Sequence, residues 1–280
     1  MRTLAVSNPF DAPVYYEEIV ASTMDVSRML ANNGEPHGTV ITAGFQKAGR
    51  GRIRGRSWET ARAGDLSFTI LLRYPRIEDI PSALTLRTGL AAALAIEDFA
   101  PALAGRVMIK WPNDLLLQDG GAVRKVTGIL AEANGGIVHI GIGVNVGQKE
   151  FPEHLRGRAT SIGLAAGEAG DPLALLELIL AQMYDGIQNV NGHCGGWKSR
   201  IEQRLYKKGD RVKFAEGAAG SHNMVSGTLA GVGEGGELLI VPDGETVPRS
   251  FFSGELVSVC PQSSSTSLTQ LLCGQTLAKD

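Results

Sequence analysis

Residues 46–58 read Gln46-Lys47-Ala48-Gly49-Arg50-Gly51-Arg52-Ile53-Arg54-Gly55-Arg56-Ser57-Trp58, with four arginines, three glycines and a closing tryptophan. This composition predicts a loop. Glycine loses much backbone entropy in a helix or strand, and the guanidiniums have no apolar face to bury, so neither element should form. Each arginine offers a planar fork of donors suited to carboxylate or phosphate. Gly49, Gly51 and Gly55 let the backbone approach a ligand closely, and Trp58 offers a flat face to a base. The same residues also suit a solvated basic loop or one that touches nucleic acid.

The flanks are strand-like. Residues 40–45 are β-rich and feed into the loop, and 66–72 form a near-continuous apolar run after it. Upstream, 14–19 reads as a strand, and Ser22 caps a helix whose apolar stripe is Val26, Met29 and Leu30 before Asn33-Gly34 stops it. Leu86, Leu90, Ala93, Leu94 and Ile96 recur at helical spacing up to Phe99. Residues 107–111 form a strand that ends in Lys110-Trp111-Pro112-Asn113-Asp114, 118–124 a polar turn, and 126–131 and 137–146 two paired strands. Helices are expected over 171–187, opened by Asp171-Pro172, and over 197–205. From Lys207 the pattern changes to short β runs at 212–214, 226–229, 238–241 and 256–259, separated by glycine turns, which predicts a small barrel. Residues 261–280 are rich in Ser, Thr and Gln and read as a disordered tail. The fold class is α+β: a catalytic-type domain over 1–206, a barrel over 207–260, then the tail.

Composition narrows the function. Of 280 residues, 27 are Lys or Arg and 29 Asp or Glu, a net charge of −2 that disfavours a general nucleic-acid coat. Cys194, Cys260 and Cys273 are odd in number and lack paired spacing, so neither a disulfide framework nor a zinc site is expected. No run reaches the ~18 apolar residues of a membrane span and the N-terminus lacks a signal-peptide core, so a soluble cytoplasmic protein is the default. His37, His139, His154, His193 and His222 are scattered without metal-ligand spacing.

Three further groups carry chemistry. Asp114, at a strand's C-terminal end, suits magnesium arriving with substrate phosphates, although Pro-Asn-Asp is also an ordinary turn. In 125–132, strict alternation puts Lys125, Thr127 and Ile129 on one face and Gly128 on the other. Lys125 then either meets an anion or snorkels to water. Asn145 follows Gly141 and Gly143 on a strand end without a phosphate-loop pattern.

Together these motifs resemble the biotin–protein ligases. Ser22-Thr23-Met24-Asp25, the 46–58 loop, Lys110-Trp111-Pro112-Asn113-Asp114, Lys125 with Gly128-Ile129-Leu130, and Gly141-Ile142-Gly143-Val144-Asn145 follow the family's order over about residues 14–260. The resemblance implies a mixed sheet flanked by helices, similar to class II synthetases, followed by an SH3-like barrel. It implies ATP-dependent ligation of biotin, through biotinyl-5′-AMP, to a lysine of a biotin carboxyl carrier domain, with magnesium and without DNA or membrane binding; a homodimer is left open. Ser22, Thr23, Gln46, Gly49, Arg50, Gly51, Arg52, Lys125 and Gly128 would contact biotin. Arg50, Arg52, Trp58, Lys110, Asn113, Lys125 and Asn145 would contact ATP, Asp114 would hold the metal, and Arg52 and Lys125 would be catalytic. The loop departs from the family spacing by one residue at Ile53-Arg54. The alternatives are a lipoate–protein ligase, which shares the chemistry, and a nucleic-acid-binding module.

Overall fold

The structure is a computed structural model that describes residues 1–53, 55–58, 64–188, 196–217 and 223–257. In chain order its elements begin with β1 (Arg2–Thr3), β2 (Val14–Val20), α1 (Thr23–Asn32), β3 (Val40–Gln46), β4 (Gly49–Arg50), β5 (Ser57–Trp58) and β6 (Leu66–Arg73). Then come α2 (Leu84–Phe99), β7 (Val107–Lys110), β8 (Asp114–Asp119), β9 (Ala122–Asn134) and β10 (Ile137–Val144). After α3 (Ile162–Ala166), α4 (Pro172–Gln188) and α5 (Trp197–Arg204) come β11 (Arg211–Glu216), β12 (Met224–Val232), β13 (Leu238–Pro242), β14 (Arg249–Phe251) and β15 (Gly254–Val257), the last of the described elements.

The main sheet has eight strands in the order β1-β2-β3-β6-β10-β9-β8-β7. Only β2 and β3 run parallel, because α1 crosses over between them; the other neighbours are antiparallel. This is the mixed sheet that the sequence predicts. α1 covers one face, where Ser27 Oγ meets His139 Nδ1 at 2.8 Å. α2 covers the other and comes close because it is built of small residues: a Cβ added at Gly89 would lie 3.6 Å from Ile129. The core between α2 and the sheet holds Phe68, Ile70, Ile96, Leu115 and Ile140, each fully buried.

Two local expectations need correction. The polar segment expected over 118–124 is mostly strand: β8 runs to Asp119, β9 starts at Ala122, and only Gly120 and Gly121 turn, both at positive φ. Cross-strand pairing from Asp119↔Ala122 onward outweighs the polar composition. The strand Arg249–Phe251 was hidden in the sequence because it is too short for alternation to show.

The C-terminal strands form a five-stranded antiparallel sheet in the order β14-β13-β12-β11-β15. Among the described residues nothing pairs β14 with β15, so the sheet is an open one. Its junction with the main sheet is Trp111, which is 3% exposed. The indole Nε1 donates to Gly236 O at 2.9 Å, and the ring lies 5.8 Å from that of Phe214. Residues 261–280, Cys194, Cys260 and Cys273 lie outside the described residues. Trp111→Ala is expected to cost about 3–5 kcal/mol, the usual range for truncating a buried tryptophan. Chemical denaturation measures it, and a loss below about 1 kcal/mol would show that the junction does not depend on this ring.

Candidate active site

The site begins where α1 begins. Ser22 is extended and its hydroxyl accepts from Met24 N, the capping that its position before the apolar stripe predicts. That cap places Thr23 over the end of β3. Gln46 Oε1 accepts from Thr23 N at 2.9 Å and from Thr23 Oγ1 at 3.1 Å, while Thr69 Oγ1 donates to Thr23 Oγ1 at 2.8 Å. All four residues are buried. The result is a buried polar cluster at the corner of α1, β3 and β6, with its donors and acceptors already oriented.

Beside this cluster the sheet has a floor of two glycines. Gly143 pairs with Gly128, and both face the indole of Trp58. A Cβ at Gly143 would stand 2.2 Å from Trp58 Cε2, and one at Gly128 2.9 Å from Trp58 Cζ3. Ser67 pairs with Gly143 from the other side and so shares its face; its buried hydroxyl has no hydrogen-bond partner among the described residues.

Lys125 reaches this floor, against the expectation from alternation. A bulge shifts the β8–β9 register so that Leu115 faces Thr127 while Leu116 faces Lys125, leaving Val126 extra. One added residue reverses which face the preceding side chain takes. Lys125 Nζ therefore lies 3.2 Å from the position of a Gly128 Cβ, 2.6 Å from Asp114 Oδ1, and 5.5 Å from the Trp58 ring centroid.

The 46–58 loop is not irregular. Gly49 pairs with Trp58 and Arg50 with Ser57, and Gly51 N donates to Arg56 O at 2.8 Å, so the segment is a two-stranded hairpin. Ion pairs at its base and tip supply what its sequence lacks. Arg50 grips Asp25 with both terminal nitrogens, at 2.8 and 3.0 Å. Arg52 donates to Gly254 O at 2.9 Å, and Arg56 forms a fork on Glu255 at 2.9 and 3.1 Å. The Arg50 hydrogen bond holds the Asp25 carboxyl below its usual range. Burial raises Glu255, but the Arg56 hydrogen bond and the charges of Arg56, Lys110 and Arg52 outweigh it, and the net shift is downward. Arg54 lies outside the described residues.

Sequence reasoning named neither Glu255 nor Gly254. They follow Arg56 by about two hundred residues, and no local signal connects them. Lys110 is a third cation near this cluster; burial lowers its pKa against the pull of Asp114 and Glu255. Asn113 and Asn145, expected as ligand contacts, each place an amide N–H on the scaffold: Asn113 Nδ2 donates to Ile129 O at 2.7 Å and Asn145 Nδ2 to Thr160 O at 3.0 Å. Among the described residues no cluster of three His, Cys, Asp or Glu groups could hold a metal alone.

Residues 16–148 match the sequence profile described as the biotin/lipoate A/B protein ligase family. A biotin–[acetyl-CoA-carboxylase] ligase of Paracoccus denitrificans is 32% identical over 234 residues, covering 76% of this chain and 90% of that protein. The chain belongs to the biotin–protein ligase family. A bifunctional ligase/repressor of Bacillus spizizenii is 37% identical over 173 residues, which cover 59% of this chain and only 50% of the relative. The biotin protein ligase of Aquifex aeolicus in complex with biotin and ATP superposes with a TM-score of 0.72 at 27% identity, covering 87% of this chain and 97% of that one.

Gly143→Ala is expected to displace Trp58 without unfolding the chain, because the added methyl occupies the ring's place. Tryptophan emission should move to the red relative to wild type, and the difference should vanish in a Trp58→Phe background; equal spectra in both backgrounds would contradict the packing. A second expectation concerns pH. Burial lowers the His139 pKa below 6.5, so the folded chain binds fewer protons than the unfolded one. The resulting stability is present above pH 6.5 and is lost as pH falls through the folded value. His139→Gln should flatten the fall in Tm below pH 6.5. Identical slopes for the two proteins would rule His139 out as a source of acid sensitivity.

Proposed function

We propose that this chain joins biotin to a specific lysine of a biotin-accepting carrier domain, using ATP and passing through biotinyl-5′-AMP. The observation that supports it best is the side-chain-free floor of Gly128 and Gly143, with the buried Thr23–Gln46 polar cluster on one side and Lys125 on the other. The relatives named above are biotin ligases, and none of them favours the lipoate alternative.

In the first step a biotin carboxylate oxygen attacks the α-phosphorus of ATP. The bond from that phosphorus to the bridging oxygen breaks, and pyrophosphate leaves. In the second, the acceptor lysine amine attacks the acyl carbon, the carbonyl carbon–oxygen bond to AMP breaks, and the amine loses a proton to form the amide. The first step brings two anions together, so charge cancellation and positioning dominate its barrier.

The residues suit those needs. Ser22, Thr23 and Gln46 hold the ureido head, and Gly49, Gly51 and Gly128 allow close backbone approach. Lys125 neutralises charge where carboxylate meets α-phosphate. Arg50 and Arg52 take the carboxylate and phosphate oxygens, which requires Arg50 to exchange its Asp25 contact for the ligand. Trp58 stacks on adenine after leaving the glycine floor to the ligand, and Lys110, Asn113 and Asn145 border the nucleotide. A magnesium ion arriving with the triphosphate would screen its charge; Asp114, one carboxylate already paired to Lys125, fits as a single ligand beside phosphate oxygens. We read residues 1–206 as the catalytic domain and 207–260 as a C-terminal unit of SH3-like type, whose described strands form the open five-stranded sheet that braces the arginine hairpin. Among the described residues no helix is long and apolar enough to cross a membrane.

Incubation with biotin, ATP, magnesium and a carrier domain should produce AMP, pyrophosphate and a biotinylated lysine; adenylate formed with lipoate and not with biotin would refute the reading. Lys125→Ala should slow single-turnover pyrophosphate release by about a hundred- to a thousandfold, the scale of losing one preorganised charge. Arg52→Ala should still form the adenylate but release it early. Unchanged pyrophosphate release in Lys125→Ala would remove that residue from the chemistry.

A further inference from the structure

Strand β10 is dressed differently on its two faces. Toward α2 it carries Val138, Ile140, Ile142 and Val144, all apolar and buried. Toward α1 it carries His139, Gly141 and Gly143, so the glycine floor reaches one same-face position further along the strand, to Gly141. Side chains from elsewhere in the chain make up the missing layer. Trp58 covers Gly143, and Met24, in the first turn of α1, covers Gly141: a Cβ there would stand 2.9 Å from Met24 Sδ and 3.3 Å from its Cγ. Met24 is 3% exposed. Thr69 pairs with Gly141 from β6, and its hydroxyl would lie 3.6 Å from the same Cβ.

The two covers are held in different ways. Trp58 sits on a hairpin fastened by partly exposed ion pairs. Met24 N donates to Ser22 Oγ at 3.3 Å inside the helix cap, so its backbone stays in place while its side chain adjusts. A thioether suits that task, because it is unbranched, polarisable and fills an irregular gap at low cost. Glycines alone do not make a binding surface, but Ser67 points to an occupant. It is 1% exposed, it pairs with Gly143 on this face, and its hydroxyl has no hydrogen-bond partner among the described residues. A buried hydroxyl left unpaired costs free energy that a polar ligand on the floor recovers.

We infer that Met24 sets the ring specificity of the acid-activating step: its thioether closes the Gly141 end of the floor and rejects acids with a bulkier ring. The inference rests on the reading of the floor as the biotin site. In that reading Thr23 and Gln46 hold the ureido head, and the sulfur-containing ring of biotin is fused directly to that head. Met24 follows Thr23 in the chain and lies over Gly141. Thr69 ties the two positions to the same end of the floor, because its hydroxyl donates to Thr23 Oγ1 and also stands beside Gly141. The fused ring therefore packs against the Met24 side chain. Trp58 gives way to the ligand whereas Met24 stays, so the limit of the floor is drawn by a side chain and not by the sheet. Such an apolar contact discriminates by the volume it fills.

The test is single-turnover pyrophosphate release by the full-length chain with ATP and magnesium, using either biotin or biotin sulfone, in which the ring sulfur is enlarged by oxygens. The quantity read is the ratio of the two rates at subsaturating acid, from which any fraction of unfolded chain cancels. Wild type should prefer biotin. Met24→Ala should shift the ratio toward the sulfone by about tenfold, the scale of discrimination that a methylene or two carries in an apolar pocket. Met24→Leu, close in volume, should recover most of the preference. Equal proportional losses for the two acids in Met24→Ala would overturn the inference, since a side chain that only supports α1 behaves in that way. So would a wild type that uses both acids equally well. Release with neither acid would refute the biotin reading itself, and the inference with it.

Discussion

Everything at the candidate active site depends on two glycines facing each other across β9 and β10. A sheet normally covers both faces with side chains, and a ligand can lie flat on one only where that layer is missing. Gly128 and Gly143 create the gap, and Trp58 fills it. A tryptophan that covers a hole without being locked into the core can give way to another flat ring of similar size. The same contact ties the arginine hairpin to the sheet, because Trp58 pairs with Gly49 at the hairpin's base.

The hairpin itself is held by charge. A pair of two-residue strands has too few ladder bonds to persist alone. Asp25 from α1 grips Arg50, and Glu255 from the C-terminal sheet grips Arg56, so the two ends are fastened to different parts of the chain. Both pairs are partly exposed, where an ion pair contributes modestly and exchanges readily. In the function proposed above, this suits a segment whose guanidiniums would exchange a protein carboxylate for a ligand carboxylate or phosphate of the same geometry. The C-terminal sheet thereby affects the site without contributing to its floor, and Trp111 fixes where that sheet stands.

Much of the architecture was legible because it rests on local rules. The Ser22 cap, the helical stripe up to Phe99 and the apolar runs in β3 and β6 follow from periodicity and capping, which act over a few residues. The glycine-rich and arginine-rich stretch stood out by composition alone. Their grouping was less so. The bulge at Val126 moved Lys125 to the Gly128 face, which period-2 reasoning excluded. Asn113 and Asn145 proved to use their amide donors on the backbone.

The sequence by itself determined the longer helices and the apolar strands, the change of character near Lys207, and a segment rich in glycine and arginine, because each is written in composition and spacing over short stretches. Only the tertiary structure decided that the loop is a hairpin, that Glu255 and Asp25 hold its arginines, and that Lys125 and Asp114 share one face with the glycine floor. These contacts join residues far apart in the chain, and a long-range ion pair or a one-residue bulge leaves no periodic trace for local reasoning to find.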